Sequence, residues 1–145
     1  MPIKTFRGQI VDGGIDTILL HTNDGSTGYR IVKLELLGVQ PGSTTQESTV
    51  QIFSVPQTTA VNTVDFSNQE LLGAGFYRSS NSSDHTTTLN VVFDNIVFNQ
   101  DIDITHVESA GSTAINYYIE LEQIKLDLSE NTVATLKDIR NVTAP

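Results

Sequence analysis

The chain has 145 residues, no cysteine, and 8 basic against 17 acidic residues, for a formal net charge of −9. That length suits one domain able to bury its own core; the missing cysteine excludes disulfides, thiolate zinc sites and a cysteine nucleophile; the charge argues against nucleic acid or anionic lipid as a partner. No apolar run is long enough to span a bilayer and no charged-then-apolar leader follows Met1, so neither a membrane span nor a secretion signal is expected.

Composition points to sheets. Valine, isoleucine and threonine number 13, 13 and 18, whereas alanine and lysine number only 6 and 4. β-Branched side chains are stiff at χ1 and pack well on pleated surfaces, and the good helix formers are scarce. Gly, Asn, Ser and Asp recur at short intervals, as tight turns require. The expected fold class is therefore all-β, a single domain over residues 1–145, built as a sandwich or a small barrel.

In chain order, residues 3–11 are the first expected strand, with Gly8 as its weak point, and Gly13-Gly14 turns the chain. Residues 16–22 follow, and Asn23-Asp24-Gly25 supplies a hairpin signal. Residues 29–39 alternate strongly: Val32, Leu34 and Leu36 share one face, Lys33 and Glu35 the other. Residues 40–47 read as a loop, 49–55 as a strand ended by Pro56, and 57–68 as a long polar excursion. Ser67 and Glu70 have capping-box spacing, but Gly73 and Gly75 limit any helix there to one turn. Residues 74–78 make a short strand and 79–84 a small polar loop. Residues 87–93 alternate, with Leu89, Val91 and Phe93 on one face. After Asp94-Asn95 the phase shifts to Ile96 and Phe98, which requires a bulge, a bend or a turn. Residues 101–107 place Ile102 and Ile104 inward and Asp101 and Asp103 outward, and 110–113 turn the chain.

Residues 114–128 carry the most information. Ile115, Tyr117, Ile119 and Leu121 share one parity; Ile124, Leu126 and Leu128 share the other. A one-residue slip sends every later side chain to the opposite face, so a bulge is expected at Glu122-Gln123. The alternative is that the second half serves a different layer or another subunit. Residues 131–140 are the one credible helix: Val133, Leu136 and Ile139 recur every third residue, and Lys137 and Arg140 suit its C-terminal end; a final strand is the competing reading. Eight or nine strands are expected in all.

The chemistry-bearing residues do not form a motif. His21, His85 and His106 have no second histidine at i+2 or i+4, and all three read as surface or strand-end residues. Asp101/Asp103 and Glu120/Glu122 stand two apart and so project from one face each. Paired carboxylates suit Ca²⁺ or acid–base work. Calcium takes more oxygens than a pair supplies, so solvated faces or partners for lysine and arginine are the expectation and a Ca²⁺ role stays open. No Gly-x-Ser-x-Gly elbow occurs, and Gly73-Ala74-Gly75 lacks the third glycine of a dinucleotide fingerprint. No catalytic, cofactor-binding or metal-binding residue is assigned, and no enzyme is expected. Adjacent Tyr117 and Tyr118 face opposite sides of a strand, one to the core and one outward, a thin basis for a sugar platform in a chain without tryptophan. Asn81 and Asn141 match the glycosylation acceptor pattern and read as chance matches.

Four stretches carry a resemblance. They are the opening Pro2-Ile3-Lys4-Thr5-Phe6-Arg7-Gly8, residues 92–106 (Val92-Phe93-Asp94-Asn95-Ile96 onward), residues 116–123 (Asn116-Tyr117-Tyr118-Ile119 onward) and residues 131–141 (Asn131-Thr132-Val133-Ala134 onward). Together they resemble small virion-associated proteins of marine tailed bacteriophages, nearly end to end. The resemblance carries no active-site residues. What it implies is a context: many copies on a phage particle, as a capsid decoration or cement protein bound to the major capsid protein or other virion subunits.

The expected architecture is a jelly-roll-like β-sandwich with a short C-terminal helix. Residues 1–9 are a candidate N-terminal arm and 129–145 a C-terminal helix and tail, both suited to attachment. The expected function is a virion structural protein, assembled in the host cytoplasm and homo-oligomeric, with neither nucleic acid nor membrane as partner. The alternative is a β-sandwich module of a tail or fibre that binds glycans or the host surface.

Overall fold

The computed structural model describes residues 2–20, 26–80 and 87–126. Eight strands form two antiparallel sheets, with no helix among the described residues. Strands β1 (Ile3–Ile10), β3 (Thr27–Gly38) and β8 (Ile115–Lys125) form a three-stranded sheet in the order β1-β8-β3. Strands β2 (Ile15–Ile18), β4 (Gln46–Phe53), β5 (Leu71–Ser79), β6 (Thr88–Phe93) and β7 (Ile102–Glu108) form a five-stranded sheet in the order β2-β7-β4-β5-β6. The molecule is thus a β-sandwich. The expected helix over residues 131–140, the hairpin at 23–25, the tail and the acceptor residues Asn81 and Asn141 lie outside the described residues.

The core lies between the sheets and follows the alternation. Leu34 and Leu36 of β3 and Ile115 and Ile119 of β8 meet Val50 and Ile52 of β4 and Ile102 and Ile104 of β7. Each such side chain contributes about 1.5–3 kcal/mol on burial. Residues 3–10, a candidate arm in the sequence, are an integral edge strand paired with β8 along their full length.

The bulge sits on a different strand from the one expected. β8 pairs with β1 without a break from Ile115 to Glu122, so no residue is inserted at Glu122-Gln123. The register instead shifts on the partner strand: Ile31 faces Leu121 and Lys33 faces Glu120, leaving Val32 as the extra residue of β3. Tyr29 and Ile31 before the bulge, and Leu34 and Leu36 after it, therefore all reach the core despite their opposite parity. The parity switch in β8 has another cause. Leu126 belongs to the outer face, where it packs with Val97 over Gly28; a Cβ on Gly28 would lie 2.9 Å from Val97 and 3.1 Å from Leu126.

The phase shift after Asp94-Asn95 is a change of sheet. The chain leaves β6, and Phe98 exchanges two backbone hydrogen bonds with Tyr29 of β3 (2.7 and 2.8 Å). Arg30 Nη1 donates to Asn95 Oδ1 (2.8 Å) and holds the crossing segment to β3.

The polar excursion is a strap over the outer face of the five-stranded sheet. Gln51 Nε2 donates to the Val61 and Thr63 carbonyls (2.9 and 3.2 Å), and Gln57 N donates to Asp103 Oδ2 (2.7 Å). Asp65 and Asn68 close Asx turns by accepting from Ser67 N and Glu70 N, in place of the capping box.

Candidate functional site

Three sets of residues hold the chemistry: a buried polar chain, the acidic pairs, and the outer face of the three-stranded sheet. The buried chain begins on β4. Gln46 and Ser48 share parity with Val50 and Ile52, so the pleat aims two polar side chains into the core. On the neighbouring strand β7, His106 points the same way. His106 is 0% exposed, so the expectation of a surface histidine is corrected: it follows Ile102 and Ile104 on the inward face.

The hydrogen bonds fix the chain's direction. His106 Nδ1 lies 3.0 Å from the Ile10 carbonyl and 3.1 Å from the Val11 carbonyl, two pure acceptors, so Nδ1 carries the proton. Nε2 is then the acceptor for the Ser48 hydroxyl at 2.9 Å. Ser48 Oγ in turn accepts from Gln46 Nε2 at 2.8 Å, and the same Nε2 reaches the Ala114 carbonyl. Burial pushes the His106 pKa below 6.5, while the two carbonyls and the charges of Asp12 and Glu108 act in the opposite direction. The ring is neutral at pH 7.

This is the hydrogen-bond pattern of a serine–histidine dyad with a carbonyl in the orienting position. It lacks access. Ser48 and His106 are both fully buried, so no acyl or phosphoryl group can reach Oγ. The chain ties β4 and β7 of one sheet to the end of β1 in the other. Its work is structural: every strong donor in it has an acceptor.

The acidic pairs are separated by their partners. Asp103 is buried under the strap, not solvated as expected; Oδ1 accepts from Thr17 Oγ1 (2.6 Å) and Oδ2 from Gln57 N. Asp101 Oδ1 accepts from Leu20 N (2.7 Å). Glu120 accepts from the Tyr118 hydroxyl (2.7 Å), and Glu122 pairs with Arg30 (2.9 Å). No group of three or more metal-ligating side chains occurs among the described residues. His21 and His85 lie outside the described residues.

The outer face of the three-stranded sheet is an open surface with converging polar groups. Pairing sets its residues in rows across β1, β8 and β3. Gln9, Asn116 and Leu37 form one row; Arg7, Tyr118 and Glu35 the next; Thr5, Glu120 and Lys33 the third. Gln9 Nε2 donates to Asn116 Oδ1 (3.1 Å), and Lys33 Nζ stands 6.0 Å from the Tyr118 ring centroid. The Glu120 carboxylate, accepting the Tyr118 proton, raises that phenol's pKa. The first two rows line an open groove of about 780 Å³ that also takes in Leu89. Tyr117 faces the core and Tyr118 outward, as the alternation required.

Sequence reading missed Ser48 and Gln46, although their parity with Val50 and Ile52 was visible. It also missed the Arg7–Tyr118–Glu35 row, which exists only through cross-strand register. Neither a protein-family model nor a curated protein matches the chain.

Proposed function

We propose that the chain is a structural protein of a bacteriophage virion, a capsid decoration or cement protein bound to the major capsid protein or its neighbours. The observation that carries this reading is the strand connectivity. Strands β1, β8 and β3 of one sheet face β2, β7, β4 and β5 of the other, and the segment after β6 crosses to bridge β3 at Phe98. We read this as jelly-roll-like, with the sixth strand on the second sheet and only the segment after it reaching the first. Jelly rolls are shared by viral capsid and lectin domains. The likeness is one of architecture, which by itself names no partner; the phage context comes from the sequence resemblance.

Two further features support a surface-binding rather than a catalytic role. The dyad-like pair Ser48–His106 is sealed in the core. Large apolar side chains stand exposed on both sheets, Ile3 and Leu37 on one and Leu89 and Val92 on the other. Quantitative mass spectrometry of purified particles tests the reading: the chain is expected in stoichiometric proportion to the major capsid protein. Its absence from particles would reject it.

The second reading, a glycan- or host-surface-binding module, is favoured by the Arg7–Tyr118–Glu35 row beside the Gln9–Asn116 amide pair. An aromatic ring flanked by planar amides and opposite charges suits a polyhydroxylated ligand. Binding of labelled host polysaccharide that is lost in Tyr118→Ala would favour it.

A further inference from the structure

Among the described residues, strand β6 ends the five-stranded sheet, pairing with β5 on one side only. Half of its peptide groups therefore point away from β5 as an open edge. Natural edges are blunted by charge, proline or bulges. β6 reads Thr88-Leu89-Asn90-Val91-Val92-Phe93, with no charge, no proline, no glycine and an unbroken register against β5. It is the one strand of the eight without an ionisable side chain.

We propose that β6 is a dimerisation edge, pairing antiparallel with β6 of a second copy about a two-fold axis. The occupant is set by charge. Two copies at −9 each repel one another over most of their surface. Any two-fold strand pairing also sets each residue against its symmetry mate's neighbours. β1 carries Lys4 and Arg7, and a two-fold register centred between them sets these like charges face to face. At β2 the strand is only four residues long and carries Asp16. At β3 the edge is already engaged by Phe98 and charged at Arg30, Lys33 and Glu35. Only at β6 does self-pairing meet no charge. The flanking apolar surface agrees: on the outer face, Val92 (52% exposed) and Phe66 (71% exposed) share a groove with Val64 and Phe76. A second copy continues the sheet, covers Val92 and completes the ladder.

The inference rests on the assembly reading only for its biological use; dimerisation in solution is measured on the free protein, so either can fail alone. The experiment is sedimentation of the full chain over a concentration series up to about 100 µM, at low and at moderate salt. A dimer is expected, strengthened by salt because screening relieves the net repulsion while the neutral edge loses nothing. The double variant Asn90→Lys/Val92→Lys, with both positions on exposed sites, is expected to weaken the dimer ~10-fold or more. Leu19→Lys, at an exposed site on another element, is expected to leave it unchanged. Should the double variant fold poorly, hydrogen exchange of the unaltered chain decides: amides of residues 88–93 gain protection as concentration rises. A monomer at all concentrations, a dimer weakened by salt, one unaffected by the two lysines, or unchanged exchange over 88–93 would each overturn the proposal.

Discussion

Gly8 lies directly opposite Tyr117 in the β1–β8 ladder, and the tyrosine ring crosses the space a side chain at Gly8 would fill. A Cβ there would stand 2.9 Å from both the Tyr117 Cε2 and its hydroxyl. The glycine that weakens the strand in sequence is what lets Tyr117 reach from the three-stranded sheet to Asp16 on β2, where its hydroxyl donates to Oδ2. Burial and that carboxylate push the phenol pKa far above its usual range, so the phenol keeps the proton it donates.

Gly8→Ala is therefore expected to destabilise by about 1–3 kcal/mol, the cost of overpacking. Tyr117→Phe, which keeps the ring and loses the bridge, is expected to cost about 0.5–1.5 kcal/mol. Urea unfolding measures both. A neutral Gly8→Ala would contradict the close approach.

His106 predicts a pH dependence. Its folded pKa is lowered, so the unfolded chain binds the proton more readily. Stability is then complete above about pH 6.5 and falls as pH drops below it, by at most ~1.4 kcal/mol per pH unit for one proton. Melting temperature is expected to fall between pH 7.5 and 5.5 in the wild type. The slope persists in His21→Asn/His85→Asn and disappears in His106→Asn, which is less stable throughout. A slope that followed the other two histidines would contradict the assignment.

Ser48→Ala removes the donor that His106 Nε2 requires inside a dry core and is expected to cost about 1–3 kcal/mol. The sealed position makes a second test. Intact-mass measurement after incubation with an organophosphate is expected to show no adduct at Ser48. Labelling there would show the dyad to be accessible and reopen catalysis.

The Val32 bulge makes a deletion test. Removing Val32 gives a regular strand in which Tyr29, Ile31, Leu34 and Leu36 still share one face, so it is expected to be tolerated. Removing Arg30 instead turns Tyr29 out of the core and breaks its packing on Phe98, an expected loss of about 3 kcal/mol or more. Thermal melts of the two deletions separate these outcomes, and equal losses would contradict the bulge assignment.

Alternation was enough to find the strands, since Leu34 and Leu36 of β3, Ile102 and Ile104 of β7, and Ile115, Tyr117, Ile119 and Leu121 of β8 recur at period two on the inward face. It was not enough to place the bulge, because Leu126 changes parity by facing Val97 across Gly28, a contact fixed by chain segments far apart in sequence. Asp103 reads as exposed until the strap at residues 54–70 folds over it. His106 reads as a strand-end residue because its acceptors, Ile10 and Val11, lie almost a hundred residues away. The polar rows on the outer face arise from register alone, which single-strand patterns do not encode.

The most direct test of the functional account is co-sedimentation of the purified chain with phage heads that lack it, beside the same assay with host polysaccharide. The account predicts saturable binding to heads in fixed proportion to the major capsid protein, unaffected by Tyr118→Ala. Failure to bind heads, together with polysaccharide binding that Tyr118→Ala abolishes, would contradict it.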